Sequence, residues 1–339
     1  MFYNFRRNAT LTIIAAALLA ISGCSKKSSS SATAAPGNSG AKTSTSKKAR
    51  RLKLAFVSNN VAQYWNYAHA GIRKFEKKTG VQVSLKEPRT GTVAEQDSIL
   101  EDLASAGYNG VAVSVISPHD QVAELNRIAQ HMKLICVDSD SPQSHRIMYI
   151  GTNNYNAGKL MGKQIVKLLP HGGQMAVFVG TFAADNARQR LNGILHEIKG
   201  KHIRIVAKKE DQTDAGKAEN NAEDVLVTFP HINLLCGLYS YNGPAIAMAL
   251  KSAHDKGKVK AVVFDQEPQT LRAIQEGYIN CTIVQNPVME GYLSCVWLKR
   301  LCLNNHVALP KSKHVDTGVE AVDAKNLASY RKKLAKMLK

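Results

Sequence analysis

Ser58, Ser114, Asp138, Asn242, Asp265 and Gln285 share one feature: each stands at or just beyond the end of a short apolar run. Hydroxyls, carboxylates and amides both donate and accept hydrogen bonds, so together they suit recognition of hydroxyl groups. Taken singly, each reads equally well as a loop residue or a helix cap. Their recurrence at one end of successive runs is what points to a common site. Hydrolytic chemistry needs a nucleophile beside a base, or an acid pair. The chain has neither GxSxG nor HExxH. Asp138 and Asp265 could face each other across a cleft, but the Arg and Asn side chains near them suit holding better than proton transfer. No enzymatic activity is expected. Cys136, Cys236 and Cys281 lie in apolar runs, where cysteine behaves as a small hydrophobe. Cys295 and Cys302 fall on one helix face but about 10 Å apart along it, beyond disulfide reach. No CxxC or Cys/His spacing suggests a metal, and no cofactor is expected.

The elements that must position these residues alternate regularly. Apolar runs at 52–57, 81–85, 110–115, 134–137 and 147–150 read as strands, separated by amphipathic stretches at 64–78, 94–106 and 121–131 that read as helices. A second series follows, with strands at 175–179, 203–207, 234–239, 261–264 and 282–284. Its helices are read at 157–169, 188–199, 216–229, 244–254 and 268–276. Near-continuous apolar strands suit parallel sheets buried on both faces. The fold class is therefore α/β, with two doubly wound parallel-sheet lobes joined by a multi-strand hinge. In such sheets ligands bind beyond the carboxyl ends of the strands, where the residues named above stand.

The formal net charge of +19 invites a nucleic-acid reading, but its distribution does not support one. Of 45 Lys and Arg, seven lie in 25–51, six in 325–339, and two are Arg6 and Arg7. The remaining thirty face all 26 Asp and Glu, so the central part is nearly balanced. Nucleic acid is not an expected partner. The basic ends read as solvated tails, or as segments drawn to an anionic membrane surface.

Arg6 and Arg7, the apolar run Leu11–Ile21 and the small residues Ser22 and Gly23 have the order of a secretory signal. The run is shorter than the ~20 residues needed to span a bilayer. Ile21-Ser22-Gly23-Cys24 looks like a bacterial lipobox, which implies cleavage before Cys24 and acylation of its thiol. Residues 25–51, rich in Ser, Ala, Lys and Thr without aromatics, read as a flexible tether. The expectation is a lipid-anchored protein outside the cytoplasmic membrane.

Three longer segments resemble the ribose/galactose type of periplasmic binding protein, often called type I. They are LAFVSNNVAQYWNYAHAGIRKFEKKTG, YIGTNNYNAGKLMGKQI and VVFDQEPQTLRAIQEGYINCTIVQNP. The resemblance runs from about Lys53 to Leu327. It implies a monomeric binder of a small sugar or polyol that delivers its ligand to an ABC transporter permease. The alternative is a sensor lipoprotein serving a chemoreceptor or histidine kinase. A sugar-responsive repressor shares the fold but needs a DNA-binding module before residue 52, where this chain has a leader and tether. By position, the resemblance places Tyr64 and Trp65 as rings stacking on the sugar. It makes Asp138 the first-lobe carboxylate, Arg188 the second-lobe arginine, Asn242 a bidentate amide, Asp265 the second carboxylate and Gln285 the hinge amide. Ser58 marks the end of the first strand, and Arg190 is expected to be an exposed helix charge. Ala62, Ser139 and Gln212 depart from the ribose pattern, and Phe182 is a substitute ring for the second lobe. The implied division is a signal at 1–23, a tether at 24–51 and a first lobe of 52–153 plus 286–313. A second lobe of 154–285 plus 314–327 and a basic tail at 328–339 complete it.

Overall fold

The computed structural model describes residues 52–304 and 306–339. The leader, Cys24 and the tether lie outside these residues. The described chain forms two six-stranded sheets. The first runs β2 (Val83–Lys86), β1 (Leu54–Val57), β3 (Gly110–Val113), β4 (Lys133–Val137), β5 (Tyr149–Gly151) and β11 (His314–Asp316), all parallel. The second runs β7 (Ile203–Glu210), β6 (Gly173–Val179), β8 (Leu234–Gly237), β9 (Lys260–Phe264), β10 (Cys281–Val284) and β12 (Glu320–Asp323). Only β12 in that sheet is antiparallel to its neighbour.

The central strands β1, β3, β8 and β10 are buried at every residue, because helices cover both faces. In the first lobe those helices are α1 (Gln63–Thr79), α2 (Val93–Ser105), α3 (Val122–His131) and α9 (Pro287–Leu303). In the second they are α4 (Asn154–Leu168), α5 (Asp185–Ile198), α6 (Ala215–Thr228), α7 (Asn242–Ser252), α8 (Pro268–Glu276) and α10 (Leu327–Leu338). Each sheet thus separates two apolar clusters, one per face. No helix of the described residues is long and apolar enough to cross a membrane.

The chain crosses between lobes three times: from β5 to α4, from β10 to α9, and from β11 to β12. Two crossings end in helix caps. The Asn153 side chain accepts from Asn156 N at the start of α4, and Asn286 accepts from Met289 N at the start of α9, with Pro287 following. Caps of this kind satisfy a helix-terminal N–H and fix where the extended crossing becomes helix.

Two features differ from the sequence reading. His314–Asp316 pairs with β5 in the first sheet, so the third crossing lies at 317–319 and not at the 313/314 boundary. This edge strand is only half-buried and carries no apolar run, so periodicity has nothing to detect. The basic tail at 328–339 is mostly α10, a helix docked on the second lobe. Leu327, Tyr330 and Leu334 form a stripe that packs on the cluster containing Leu271, Ile274 and Val322, while the cations occupy the other face. The five cysteines of the described residues are unpaired; four are buried and Cys302 is half-buried.

Candidate ligand-binding cleft

Asp138 and Asp265 occupy equivalent places in the two lobes. Each directly follows a central strand, β4 or β9, and each adopts positive φ, 59° and 65°. Non-glycine residues hold this left-handed conformation only where their surroundings enforce it, and such positions cluster at functional sites. Here the enforcing bonds are visible. Tyr149 Oη donates to Asp138 O at 2.7 Å, and Thr282 Oγ1 donates to Asp265 O at 2.6 Å.

The carboxylates have polar neighbours. Ser114 Oγ donates to Asp138 Oδ2 at 2.9 Å. Gln285 Nε2 donates to Asp265 Oδ1 at 3.1 Å. Gln285 Oε1 in turn accepts from Arg190 Nη2 at 3.3 Å. Arg190 also donates from Nε to Asn154 Oδ1 at 2.9 Å and from Nη1 to Leu238 O at 2.7 Å. Its guanidinium lies 3.7 Å from the Phe264 ring centroid, a cation–π contact that fixes the plane.

The arginine that joins this network is Arg190, which is 2% exposed; Arg188, which the resemblance placed here, does not join it. Arg188 points outward and pairs with Asp185 on its own helix. The reason is helical phase: positions two apart differ by about 200° around the axis. Arg190 falls on the stripe of Ala187, Leu191 and Ile194 that faces the sheet, whereas Arg188 faces away. That stripe is legible in the sequence and is the signal that separates the two.

The first lobe supplies rings. Tyr64 and Trp65 meet edge to face, centroids 5.0 Å apart, and both pack against the first-lobe core. Trp65 Nε1 donates to Asn60 Oδ1 at 3.0 Å. Tyr64 Oη donates to Glu290 Oε2 at 2.7 Å, and Thr317 Oγ1 donates to Glu290 Oε1 at 3.2 Å. Glu290 falls outside the strand-end pattern and outside the sequence expectation. It lies on the buried face of α9 with Ser294, Cys295 and Leu298, so an acid on an apolar stripe is its one sequence signal.

Two expected residues serve the walls. Ser58 Oγ donates to Asn60 O, shaping the turn after β1. Asn242 Oδ1 accepts from Tyr239 N, while its Nδ2 donates to Asp211 Oδ2, so both ends of the amide hold the loop before α7.

The lobes are closed on one another. Tyr67 Oη on the first lobe donates to Gln266 O on the second at 3.3 Å. His119 Nε2 stands 3.5 Å from Asp185 Oδ1. Lys74 of α1 donates to Met337 O of α10. A cavity of about 240 Å³ opens between the lobes beside this network, lined by Asp140, Arg146, Tyr149, Thr152, Asn154 and Asp185; Asp138, Arg190, Asp265 and Gln285 are not on its walls.

Closure excludes water, and this governs the electrostatics. Burial pushes the Asp265 carboxyl up to about 7, although Arg190 and Gln285 pull it back. Burial likewise raises Asp138, opposed by Arg190 and Ser114. Glu290 is raised by burial and further by the charge of Asp138. Among the described residues no cluster of His, Cys, Asp or Glu side chains is placed to hold a metal ion. The arrangement can enclose a polar ligand and hydrogen-bond it from both lobes.

Known proteins match this picture. Residues 54–305 match the family described as Periplasmic binding protein domain. The xylose/arabinose-binding protein of Sulfolobus acidocaldarius is 27% identical over 248 residues, covering 68% of this chain and 60% of that protein. The D-allose-binding periplasmic protein of Escherichia coli K12 is 26% identical over 239 residues, covering 67% of this chain and 77% of that one. Among solved structures, an ABC transporter solute-binding protein from Burkholderia graminis in complex with D-arabinose is 31% identical with a TM-score of 0.79. The match covers 84% of this chain and 99% of that one. A glucose-galactose binding protein from Geobacillus stearothermophilus is 25% identical with a TM-score of 0.77, covering 81% and 98%. These relatives are solute-binding proteins and not enzymes. With two parallel-sheet lobes, three crossings and a match over most of its length, the chain belongs to the periplasmic binding protein domain family, in its type I form.

Proposed function

We propose that the chain captures a sugar or polyol outside the cytoplasmic membrane and hands it to an ABC importer. The observation that carries this reading is the enclosure, from separate lobes, of Asp138 and the Arg190–Gln285–Asp265 chain. Each group has acceptor or donor capacity beyond its protein partners, and hydroxyls meet such needs in either direction. Tyr64 and Trp65 supply the apolar surface against which a sugar's C–H face packs. Closure about the three crossings is a hinge motion. It makes recognition strict, because a ligand lacking one hydroxyl leaves a buried group unpaired at a cost of about 1–3 kcal/mol. Relatives whose names give xylose, arabinose, allose or ribose as ligand support the sugar class.

Acylation of Cys24 would hold the protein at the outer face of the membrane, with 25–51 as tether. Cys24→Ala should move the chain from the membrane to the soluble fraction. The central test is a thermal-shift screen of the purified chain against monosaccharides and polyols. Ligand at 100 times its dissociation constant stabilises by about 2.7 kcal/mol, a visible shift. A flat response across pentoses, hexoses and polyols would sink the reading.

A further inference from the structure

The three crossings between the lobes are bonded to one another. Thr317 N of the third donates at 3.1 Å to Gly151 O, at the end of β5 where the first begins. Asp316 Oδ1 accepts from Asn153 N of the first crossing at 3.1 Å and from Gly318 N of the third at 3.0 Å. The second crossing enters α9 through the Asn286 cap, and Glu290 stands one turn later. Its carboxylate joins this set to the candidate site: Oε1 accepts from Thr317 Oγ1 at 3.2 Å, and Oε2 accepts from Tyr64 Oη at 2.7 Å. Glu290 is 0% exposed, and both of its oxygens are taken by protein hydroxyls, so it is not a group that holds the ligand. Burying an acid carries a desolvation cost that an apolar side chain on the same stripe of α9 would not.

What the acid gains is a link between two parts that move differently. Glu290 belongs to the first lobe through α9, as Tyr64 does through α1. Thr317 belongs to a crossing, and crossings absorb the backbone change when lobes part. We propose that Glu290 is a positioning residue that ties Tyr64 to the hinge, so that the ring is fixed in place only when the crossings hold their closed arrangement. This rests on the sugar-capture reading, in which Tyr64 packs on the ligand. Opening moves the Thr317 hydroxyl off Oε1 and frees the carboxylate, and with it the hydroxyl end of Tyr64. A sugar against the ring then favours closure, and closure fixes the ring, because both act through one carboxylate.

The test is a double-mutant cycle in sugar affinity. Calorimetry of the purified full chain with D-arabinose, D-xylose, D-ribose, D-allose and D-galactose selects the tightest-binding sugar as the probe. Tyr64→Phe keeps the ring and Thr317→Val keeps the side-chain shape; each removes one hydroxyl. Each should weaken probe binding by about fivefold or more. The double variant should be at least about threefold less impaired than the product of the two, because the second loss falls on a link already broken. In a Glu290→Leu background this coupling should vanish. Glu290→Gln, whose amide accepts from one hydroxyl and donates to the other, should keep most of the affinity. Hydroxyls that serve stability alone would lower resistance to urea and leave the two affinity losses multiplying. That result, or unchanged affinity in both single variants, overturns the proposal and leaves sugar capture standing. No binding of any of the five sugars by the unaltered chain overturns both. The two single variants and their combination decide the question even if Glu290→Leu fails to fold.

Discussion

At the scale of single residues, the proposed site divides into groups placed to hold a ligand and groups that hold those groups. Asp265 is buried and hydrogen-bonded to Gln285, so Asp265→Ala should weaken ligand binding by roughly 2–5 kcal/mol, the range for breaking a buried charged hydrogen bond. Calorimetry with the sugar found by screening measures it. Arg190 and Arg188 provide a paired control. Arg190→Lys cannot reproduce three directed donations and a stacked plane, so affinity should fall by about tenfold or more. Arg188→Lys changes an exposed pair, worth at most about 1 kcal/mol, and should leave binding nearly unaltered. Equal losses in both variants would refute the helical-phase assignment. Asp138, Asp265 and Gln285 are legible in the sequence because strand ends announce themselves as the close of an apolar run. Arg190 escapes a reading by position alone, because position selects the segment and helical phase selects the residue.

At the scale of elements, the site depends on how closely helices approach. A β-carbon at Gly158 of α4 would lie 2.0 Å from Arg190 O, and one at Gly193 of α5 would lie 2.3 Å from Tyr155 O. The two helices meet backbone to backbone, and this contact sets the position of Arg190. Gly158→Ala should therefore destabilise the fold by about 1–3 kcal/mol and also weaken ligand binding, since α5 must shift. Urea denaturation and calorimetry read the two effects separately. The first lobe repeats the device, where a β-carbon at Gly71 of α1 would lie 1.9 Å from Val288 O of α9. Helix α10 gives an independent check. Tyr330 is 6% exposed in the second-lobe core, so Tyr330→Ala should cost about 3 kcal/mol. A merely solvated tail would show no loss.

At the scale of the whole molecule, closure and protonation are linked. Burial raises the Asp265 carboxyl to about 7 and raises Asp138 and Glu290 in the same direction. Below the unfolded value of about 4, both folded and unfolded chains carry the protons and no penalty arises. Between about pH 4 and 7 the closed fold binds more protons than the unfolded chain, so stability falls as pH rises, by at most about 1.4 kcal/mol per pH unit per group. Chemical denaturation of the ligand-free chain from pH 5 to pH 8 should show this decline, and Glu290→Gln should flatten it. A slope of opposite sign would mean the acids are hydrated and the cleft open.

The sequence by itself determined the lobes, the strand ends and the two carboxylates, because apolar periodicity is local and each run stops where its polar residue begins. Tertiary structure decided what depends on distant packing. The third crossing rests on a half-exposed strand that pairs with β5. The docking of α10 rests on a stripe hidden among cations. Glu290 reaches Tyr64 only because α9 returns to pack on α1. Propensity and pattern record which residues want burial; they do not record which buried residues will meet.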